Sequence, residues 1–520
     1  MKRAWKLANW TSGYIDELSY THGFYRQLTP ALMSFAALAR SQKFDLSQPS
    51  LEYCELGCGQ GFSANLLSAA NPQIRFHAMD FNPAHIVSAR SLAREANLTN
   101  VKFYEESFAS FQTQAGLPES FDIICLHGVL SWVSEENRQH IVDFVSAKLK
   151  PGGLVYVSYN AMPGWAVTLP LRRMLVDRAS RTSGPLAPRI DEALDHLSAL
   201  AEAQADFFKI HAAAGVRLKT MTSMGRNYLA HEYFNRDWTP FYFEDVASQL
   251  AEAKLSFVSS LNFLDHFDDL SLSEKQRAVL DLEGDPVRRE AVRDFIVNQL
   301  FRTDLFCKGF DPHTERSAAG VWLETRFALS TSKEKIPAAI KTRMGQIDVG
   351  ADPYQQILAT FDGRPRSTRE VLTSMAGSQV TWSQITQAIT VLVGANFLQP
   401  CLPEQGLAER IEGCKSFNRA VCRHAENNED HQFLASPVTG GGLMVSRAER
   451  LYLLAIDEGK DGPKDWARLA WRILEPQGQR LLKDGKILET EEDNVAELTA
   501  RAEEFMRYRL PILQSLKIEL

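Results

Sequence analysis

Between residues 51 and 159 short apolar runs alternate with stretches of helical period: LEYCEL, a helix from about Ser63, IRFHAM, a helix from about Pro83, VKFYE, FDIICL, a helix after Ser134, and LVYVSY. Strands separated by helices of ~10 to 15 residues join by right-handed crossovers, so this alternation predicts a doubly wound α/β domain around a parallel sheet. Ser134 followed by Glu135 and Glu136 supplies a helix start, and Lys148, Lys150 and Pro151-Gly152-Gly153 supply its stop.

After the fifth strand the pattern changes. Residues 166–228 read as a helical insertion, with ASRTSGPLAPR (179–189) as a breaker and Ile190, Leu194, Leu197, Ala201, Phe207 and Ile210 spaced for one apolar face. LAHEYF (229–234) and LSFVSSLNF (255–263) have the composition of further strands, which makes the insertion an excursion from one sheet. An excursion from the C-terminal end of a strand lies over the ligand crevice and predicts a lid or substrate collar. GQIDVGADP (345–353) has the composition of a linker. Beyond it come a helix over Tyr354–Phe361, a Ser367/Glu370 capping-box pair, a helix over Ser383–Val393 with Ile385, Ile389, Leu392 and Val393 on one side, and a short strand at NFLQP. Three short helices and a strand predict a winged-helix-like module. Its third helix, WSQITQAITVLVG, has no Lys or Arg for phosphate or guanine, which favours protein contact over DNA. From about residue 405 the chain reads as loop-rich around PVTGGG (437–442), with a helix at Arg447–Ile456 and a last helix opening at Asn494 and bent by Pro511.

Composition excludes several classes. At 520 residues and 45% hydrophobic content the chain can bury a large core, and at ~100 to 200 residues per domain it holds about three domains. A net charge of -7 offers a polyanion no global attraction, so nucleic acid is not an expected partner. No run approaches the ~18 apolar residues of a membrane helix, and polar residues interrupt the N-terminus too early for a secretory signal. The seven scattered cysteines never form CxxC, which predicts neither a disulfide framework nor a metal knuckle and fits a reducing cytoplasm.

The chemistry concentrates at LEYCELGCGQG. Gly57, Gly59 and Gly61 follow a strand and precede a helix, so the backbone can approach a ligand closely and offer N–H groups at a helix N-terminus. A dinucleotide fingerprint would carry its third glycine where this chain has Phe62, and Glu55 at the strand end repels phosphate while suiting an ammonium group. Asp80, at the end of the second strand, stands where an acid bonds ribose hydroxyls, and Phe81 can cover an adenine face. Acid, glycine turn and acid describe a ligand with a ribose, an aromatic base and a zwitterionic tail but no phosphates: S-adenosylmethionine. Cys58 within the turn is a compact loop residue, and no metal is expected.

ELGCGQG, MDFNP, FDIICLHGVLSWV and LKPGGLVYVS resemble the successive motifs of the class I, seven-stranded S-adenosylmethionine-dependent methyltransferases. SYTHGFYRQLTPALMSFAALA, SYNAMPGW, HEYFNRDWTPFYFEDVASQLAEAKLSFV and DFIVNQLFRTDLFCKG resemble the group with a methyltransferase regulatory domain, including rickettsial-type protein lysine methyltransferases. The resemblance implies a Rossmann-like, mostly parallel seven-stranded sheet. It implies that Glu55 and the glycine turn line the methionine part, Asp80 takes the ribose, and Ser107 with Phe108 lies beside adenine, where many relatives have an acid. The expected division is an N-terminal helical segment over the active site (1–50), a cofactor-binding core (51–165), the insertion (166–228), completion of the sheet with the regulatory region (229–310), the winged-helix-like module (311–404) and a mixed C-terminal module (405–520).

Methyl transfer from a sulfonium is an in-line displacement, and lysine must enter it as the free amine because its ordinary pKa is ~10.4. His127, at the end of the fourth strand, is a candidate contact to cofactor or acceptor; Tyr159 and Asn160, ending the fifth, are candidates to orient an amine. Tyr14, Tyr20 and Trp165 are candidates to line an acceptor channel, and Trp132 is either core or pocket wall. His231 and Glu232 lack HExxH spacing and read as structural or substrate-shaping. The expected function is methylation of an acceptor, with a protein lysine favoured because more than 200 residues carry no site of their own. Methylation of a small molecule, with the C-terminal modules serving to form a homodimer, stays open. So does a non-catalytic S-adenosylmethionine sensor, and a nicotinamide dehydrogenase is the remaining rival.

Overall fold

The computed structural model describes residues 13–15, 22–343 and 345–520. Seven strands form one sheet: β1 (Leu51–Leu56), β2 (Ile74–Asp80), β3 (Val101–Glu105), β4 (Phe121–Leu126), β5 (Leu149–Asn160), β6 (Leu255–Ser260) and β7 (Phe301–Lys308), in the order β3-β2-β1-β4-β5-β7-β6. The first five run parallel, and β7 is antiparallel to both β5 and β6. Strands β1 and β4 are buried along their whole length, as continuous apolar runs covered on both faces must be. The chain leaves β1 for β2 on one side and returns as β4 on the other, and the crevice at that reversal is where open α/β sheets bind ligands.

Helices α1 (Pro30–Ala39), α2 (Phe62–Ala70), α3 (Pro83–Glu95), α4 (Phe108–Phe111) and α5 (Glu135–Lys148) precede β5. Helix α5 starts as expected: the Ser134 side chain accepts the Asn137 N–H, and Glu135 and Glu136 occupy the first turn. Between β5 and β6 the chain forms α6 (Leu169–Ser180), α7 (Leu186–Glu202), α8 (Asp206–Ile210), α9 (Ala212–Thr222), α10 (Arg226–Tyr233) and α11 (Phe243–Ala251). Helices α6, α7, α9 and α10 share a core of their own around Leu171, Ile190, Leu194, Leu218 and Tyr233.

Four expectations need correction. LAHEYF is not a strand: residues through Tyr233 belong to α10, which buries Leu229, Ala230 and Tyr233 at helical spacing, and the seventh strand is Phe301–Lys308 instead. The expected single apolar face breaks before Ile210, which sits on the separate short α8 and is exposed. GQIDVGADP is no linker, because Gly345–Asp348 pairs with Ala339–Thr342 in a hairpin. The last helix opens at Glu491 rather than Asn494, with Thr490 as its cap, and Asn494 is buried, its side chain bonding Leu488 and Thr490 carbonyls and the Leu481 N–H.

The C-terminal part is mostly helical. A three-stranded antiparallel sheet, Arg366–Ser367, Arg326–Leu329 and Leu398–Pro400, stands beside helices Tyr354–Ala359, Thr368–Ser374 and Trp382–Gly394. The expected capping box of Ser367 and Glu370 is present, and Ile385, Ile389, Leu392 and Val393 are all buried. Beyond it residues 436–441 form a loop, as expected, and helices Leu407–His424 and Gly462–Leu474, not read from the sequence, flank the expected one at Arg447–Asp457. Their apolar faces belong to a single core that runs from Phe24 through α2 and β1 to Ile518.

Candidate active site

The glycine turn between β1 and α2 is pinned to the end of β2. Gly57 and Cys58 N–H groups both donate to the Met79 carbonyl at 2.9 Å, and the Gly59 N–H donates to Asp80 Oδ2 at 2.9 Å. Two of the glycines are required by space as well as conformation. At Gly57 (φ +75°) a Cβ would lie 2.6 Å from Val129 Cγ2, and at Gly61 (φ +68°) 2.4 Å from Ala89 Cβ. Gly61 thus brings α2 against α3.

Glu55 and Asp80 both line the pocket over this turn. Their environments differ. Glu55 is 4% exposed, its Oε2 has no hydrogen-bond partner among the described residues, and burial reinforced by the nearby Asp80 pushes its carboxyl up to about 8. An acid held neutral in this way ionises when a cation arrives, so the orphaned oxygen suits the ammonium of an amino acid. Asp80 is instead tied to the backbone, accepting the Gly59 and Asn82 N–H groups at 2.9 Å each, with His85 Nδ1 3.1 Å from Oδ1. It shapes the turn and still offers lone pairs to a diol.

Around them, Phe81 meets Tyr14 edge-on (centroids 5.8 Å apart), and Ser107 and Phe108 line the same pocket at the start of α4, where Ser107 accepts the Ser110 N–H. His127 also lines it. Its Nδ1 lies 2.8 Å from the Tyr156 hydroxyl, its ring stacks on Tyr25 at 3.6 Å, and burial pulls the imidazole down to about 3, so it is neutral. Trp132 is a pocket wall, and its buried Nε1 has no hydrogen-bond partner among the described residues. Glu55, Gly57, Cys58, Gly59, Gly61, Asp80, Phe81, Ser107, Phe108, His127 and Tyr14 therefore converge on one cavity.

The structure does not bring every candidate there. Tyr159 is 0% exposed and donates to Asp304 Oδ2 at 2.8 Å, inside a buried network with Arg302. Trp165 packs against Trp238 and Tyr233 in the core of the insertion and donates to the Leu300 carbonyl at 2.9 Å. Neither lines the pocket. Asn160 does not line it either: its side-chain amide points at Glu232 (3.4 Å) while its N–H donates to Ser131 Oγ at 2.9 Å. Tyr20 lies outside the described residues. Among the wall residues that sequence reasoning missed are Tyr25, His85 and Glu106, which accepts the Ser110 hydroxyl at 2.5 Å. Glu106 was visible as the second acid of EESF, one residue before the position taken for adenine; Tyr25 and His85 carry no local signal. Among the described residues no group of three or more His, Cys, Asp or Glu is placed to hold a metal ion, and no helix is long and apolar enough to cross a membrane.

Residues 47–196 match a family model described as a methyltransferase domain, and residues 225–308 match one described as a predicted methyltransferase regulatory domain. An uncharacterized protein of Synechocystis sp. is 38% identical over 512 residues, covering 98% of this chain and 99% of its own length. An uncharacterized protein of Rickettsia prowazekii is 26% identical over 304 residues, 56% of this chain and 52% of its own. Among solved structures, PKMT2 from Rickettsia typhi in complex with AdoHcy superposes with a TM-score of 0.68 at 18% identity, covering 94% of this chain and 98% of that one.

Proposed function

This chain belongs to the class I S-adenosylmethionine-dependent methyltransferases that carry a methyltransferase regulatory domain, and from that premise we propose that it methylates a lysine side chain of a protein. The observation that carries the cofactor half of this reading is the buried Glu55 carboxyl with an oxygen unpartnered among the described residues, set over a glycine turn that is pinned to Asp80 at the end of β2. In this reading Glu55 takes the ammonium of the methionine part and Asp80 the ribose hydroxyls. Phe81, Phe108 and Ser107 border the base, and Glu106 offers a carboxylate to its exocyclic amine. The bound cofactor supplies an activated methyl group on a sulfonium. The chain's own residues hold it in line with the acceptor and keep water away, a task suited to the neutral His127, Tyr25 and Trp132 walls.

Two considerations support a protein acceptor. A small metabolite needs only a pocket, whereas over 200 residues here lie beyond the sheet without chemistry of their own. PKMT2, which shares the architecture over nearly its whole length, bears the name of a protein methyltransferase. Mass spectrometry of protein fractions incubated with isotopically labelled S-adenosylmethionine tests the reading. Label on lysine side chains is the expected result; label confined to small molecules, or tight cofactor binding with no turnover, would overturn it.

A further inference from the structure

Helix α10 brings a second carboxyl, Glu232, to the end of β5, just outside the residues that line the cofactor cavity. Its Oε1 lies 3.4 Å from Nδ2 of Asn160, the last residue of β5. Asn160 is itself fixed: its N–H donates to Ser131 Oγ and its carbonyl accepts the Phe241 N–H, both at 2.9 Å. Ser131 immediately precedes the pocket-wall residue Trp132. On the same helix the neighbouring His231 packs against the ring of Tyr14, another wall residue, at 5.6 Å. Glu232 is therefore tied to the cavity wall from two directions.

The carboxyl is also uncommitted. Among the described residues it forms no ion pair. The cation whose charge bears on it, Arg217, lies over the Trp165 and Tyr233 rings and donates to the Tyr233 hydroxyl. Tyr228, half exposed, is close enough to sense both Glu232 and Tyr25, the residue stacked on His127. A partly accessible carboxylate with no ion pair among the described residues, beside the Tyr228 ring, is an environment that draws in an ammonium group, by charge and by an aromatic face.

We propose that Glu232, held by Asn160, receives the ammonium of the methyl acceptor and removes its proton. This rests on the methyl-transfer reading above and adds the group that prepares the nucleophile. An N–H bond of the acceptor breaks and its proton moves to the carboxylate. The freed lone pair forms the N–C bond as the C–S bond breaks, that pair staying on sulfur, and Glu232 then gives its proton to water. Burial, opposed by Asn160 and Arg217, raises the Glu232 carboxyl to about 7, which lets it accept and release a proton near neutral pH.

The test uses full-length protein with Glu232→Gln and Glu232→Asp. Calorimetry with S-adenosylhomocysteine first checks that each variant is folded, with cofactor affinity like wild type. Butylammonium is then titrated into the complex; wild type is expected to bind it and Glu232→Gln to bind at least tenfold more weakly, with neutral butanol bound alike by both. With peptides bearing a central lysine, Glu232→Gln is expected to lose about 10²- to 10⁴-fold in kcat and to lose the acid limb of the pH profile near 7, with partial rescue by Asp. Labelled product must resist base, as methylamines do and methyl esters do not. Equal butylammonium binding, or an unchanged rate and pH limb in Glu232→Gln, overturns the assignment. Should wild type methylate no lysine peptide, the protein-lysine reading fails, and the butylammonium comparison still decides Glu232.

Discussion

Glutamine at position 55 keeps the shape of the side chain and removes its charge, so it separates two free energies tied to one carboxyl. Burial moves that carboxyl from 4.5 to about 8. At ~1.4 kcal/mol per pH unit, the ionised form is therefore about 5 kcal/mol less favourable in the folded chain than in the unfolded one. The folded value is the raised one, so the native chain keeps a proton that the unfolded chain releases. Below 4.5 both states are protonated and nothing is lost; between 4.5 and about 8 stability falls as pH rises; above that the whole deficit stands. Glu55→Gln carries no such deficit, so its apoprotein gains on wild type between pH 5 and pH 8.5, read by denaturant unfolding at each pH. Cofactor binding moves the other way. Pairing with an ammonium ionises Glu55, so at pH 7 the wild type releases close to one proton per S-adenosylhomocysteine bound. The variant releases none and, lacking a charge-assisted hydrogen bond of about 1.5 to 3 kcal/mol, binds roughly 10- to 150-fold more weakly. Calorimetry in buffers of different ionisation enthalpy reads affinity and proton count together. Wild-type affinity in Glu55→Gln, or the same proton release in both proteins, would refute the reasoning.

Asp80→Ala removes the acceptor of two backbone N–H groups, and each donor left without a partner costs about 1 to 3 kcal/mol; calorimetry should show at least tenfold weaker S-adenosylhomocysteine binding, and equal affinity would undo the placement of Asp80. Tyr159→Phe takes one hydrogen bond from the buried Asp304, lowering the melting temperature by an amount equivalent to about 1 to 3 kcal/mol while leaving cofactor affinity intact; lost binding in a folded variant would mean that the hydroxyl does more than brace the sheet. Gly61→Ala forces a Cβ into Ala89 at positive φ, and should lower stability in urea by about 2 to 5 kcal/mol. Ending the chain after residue 404 strips the outer cover from α2, and is expected to abolish S-adenosylhomocysteine binding along with cooperative unfolding; a shortened chain that binds with full affinity would contradict this.

What could be read from the sequence follows a physical line. The first five strands are legible because strands buried on both faces are unbroken apolar runs. Strand β7 is not, because FRTDLFCK carries Arg302 and Asp304, both buried and paired with each other, so its burial leaves no apolar signature. Helix α10 was mistaken for a strand because eight residues are too few to display a period. Helix Leu407–His424 looks polar because it buries Arg410 and Asn418, whose side chains bond the Pro437 and Ala435 carbonyls. In the site, Glu55, Asp80 and the glycines were legible because one strand–turn–helix unit and the adjacent strand end set their geometry. For Tyr159 and Asn160 the sequence could not decide: neighbours on a strand face opposite sides, and only packing decides what each side meets, here Asp304 and Glu232 rather than the cavity. Tyr25 and His85 reach the site through tertiary contacts that no local pattern encodes.

The C-terminal part bears on the same chemistry through α2. That helix begins at the glycine turn and is buried at all nine of its residues, a pattern that the sheet, covering one face, cannot produce alone. Its other face meets the C-terminal part: Phe62 stacks on His431 at 4.9 Å, Asn71 donates to the Gly440 carbonyl at 2.8 Å, and Cys414 Sγ lies 3.7 Å from the Ala69 carbonyl. The approach is close enough to need missing side chains. A Cβ at Gly413 would lie 2.7 Å from the Ala69 oxygen, and one at Gly442 would lie 2.8 Å from Leu66 Cδ1. The glycines of PVTGGG, silent in the sequence, let backbone seat against the helix that presents the cofactor turn. Because interiors are close-packed and do not deform continuously, displacing that seat shifts α2 as a body, and with it the Gly57–Gly61 turn. The C-terminal part thus sets the rigidity of the cofactor site directly, through packing, whatever acceptor it also meets.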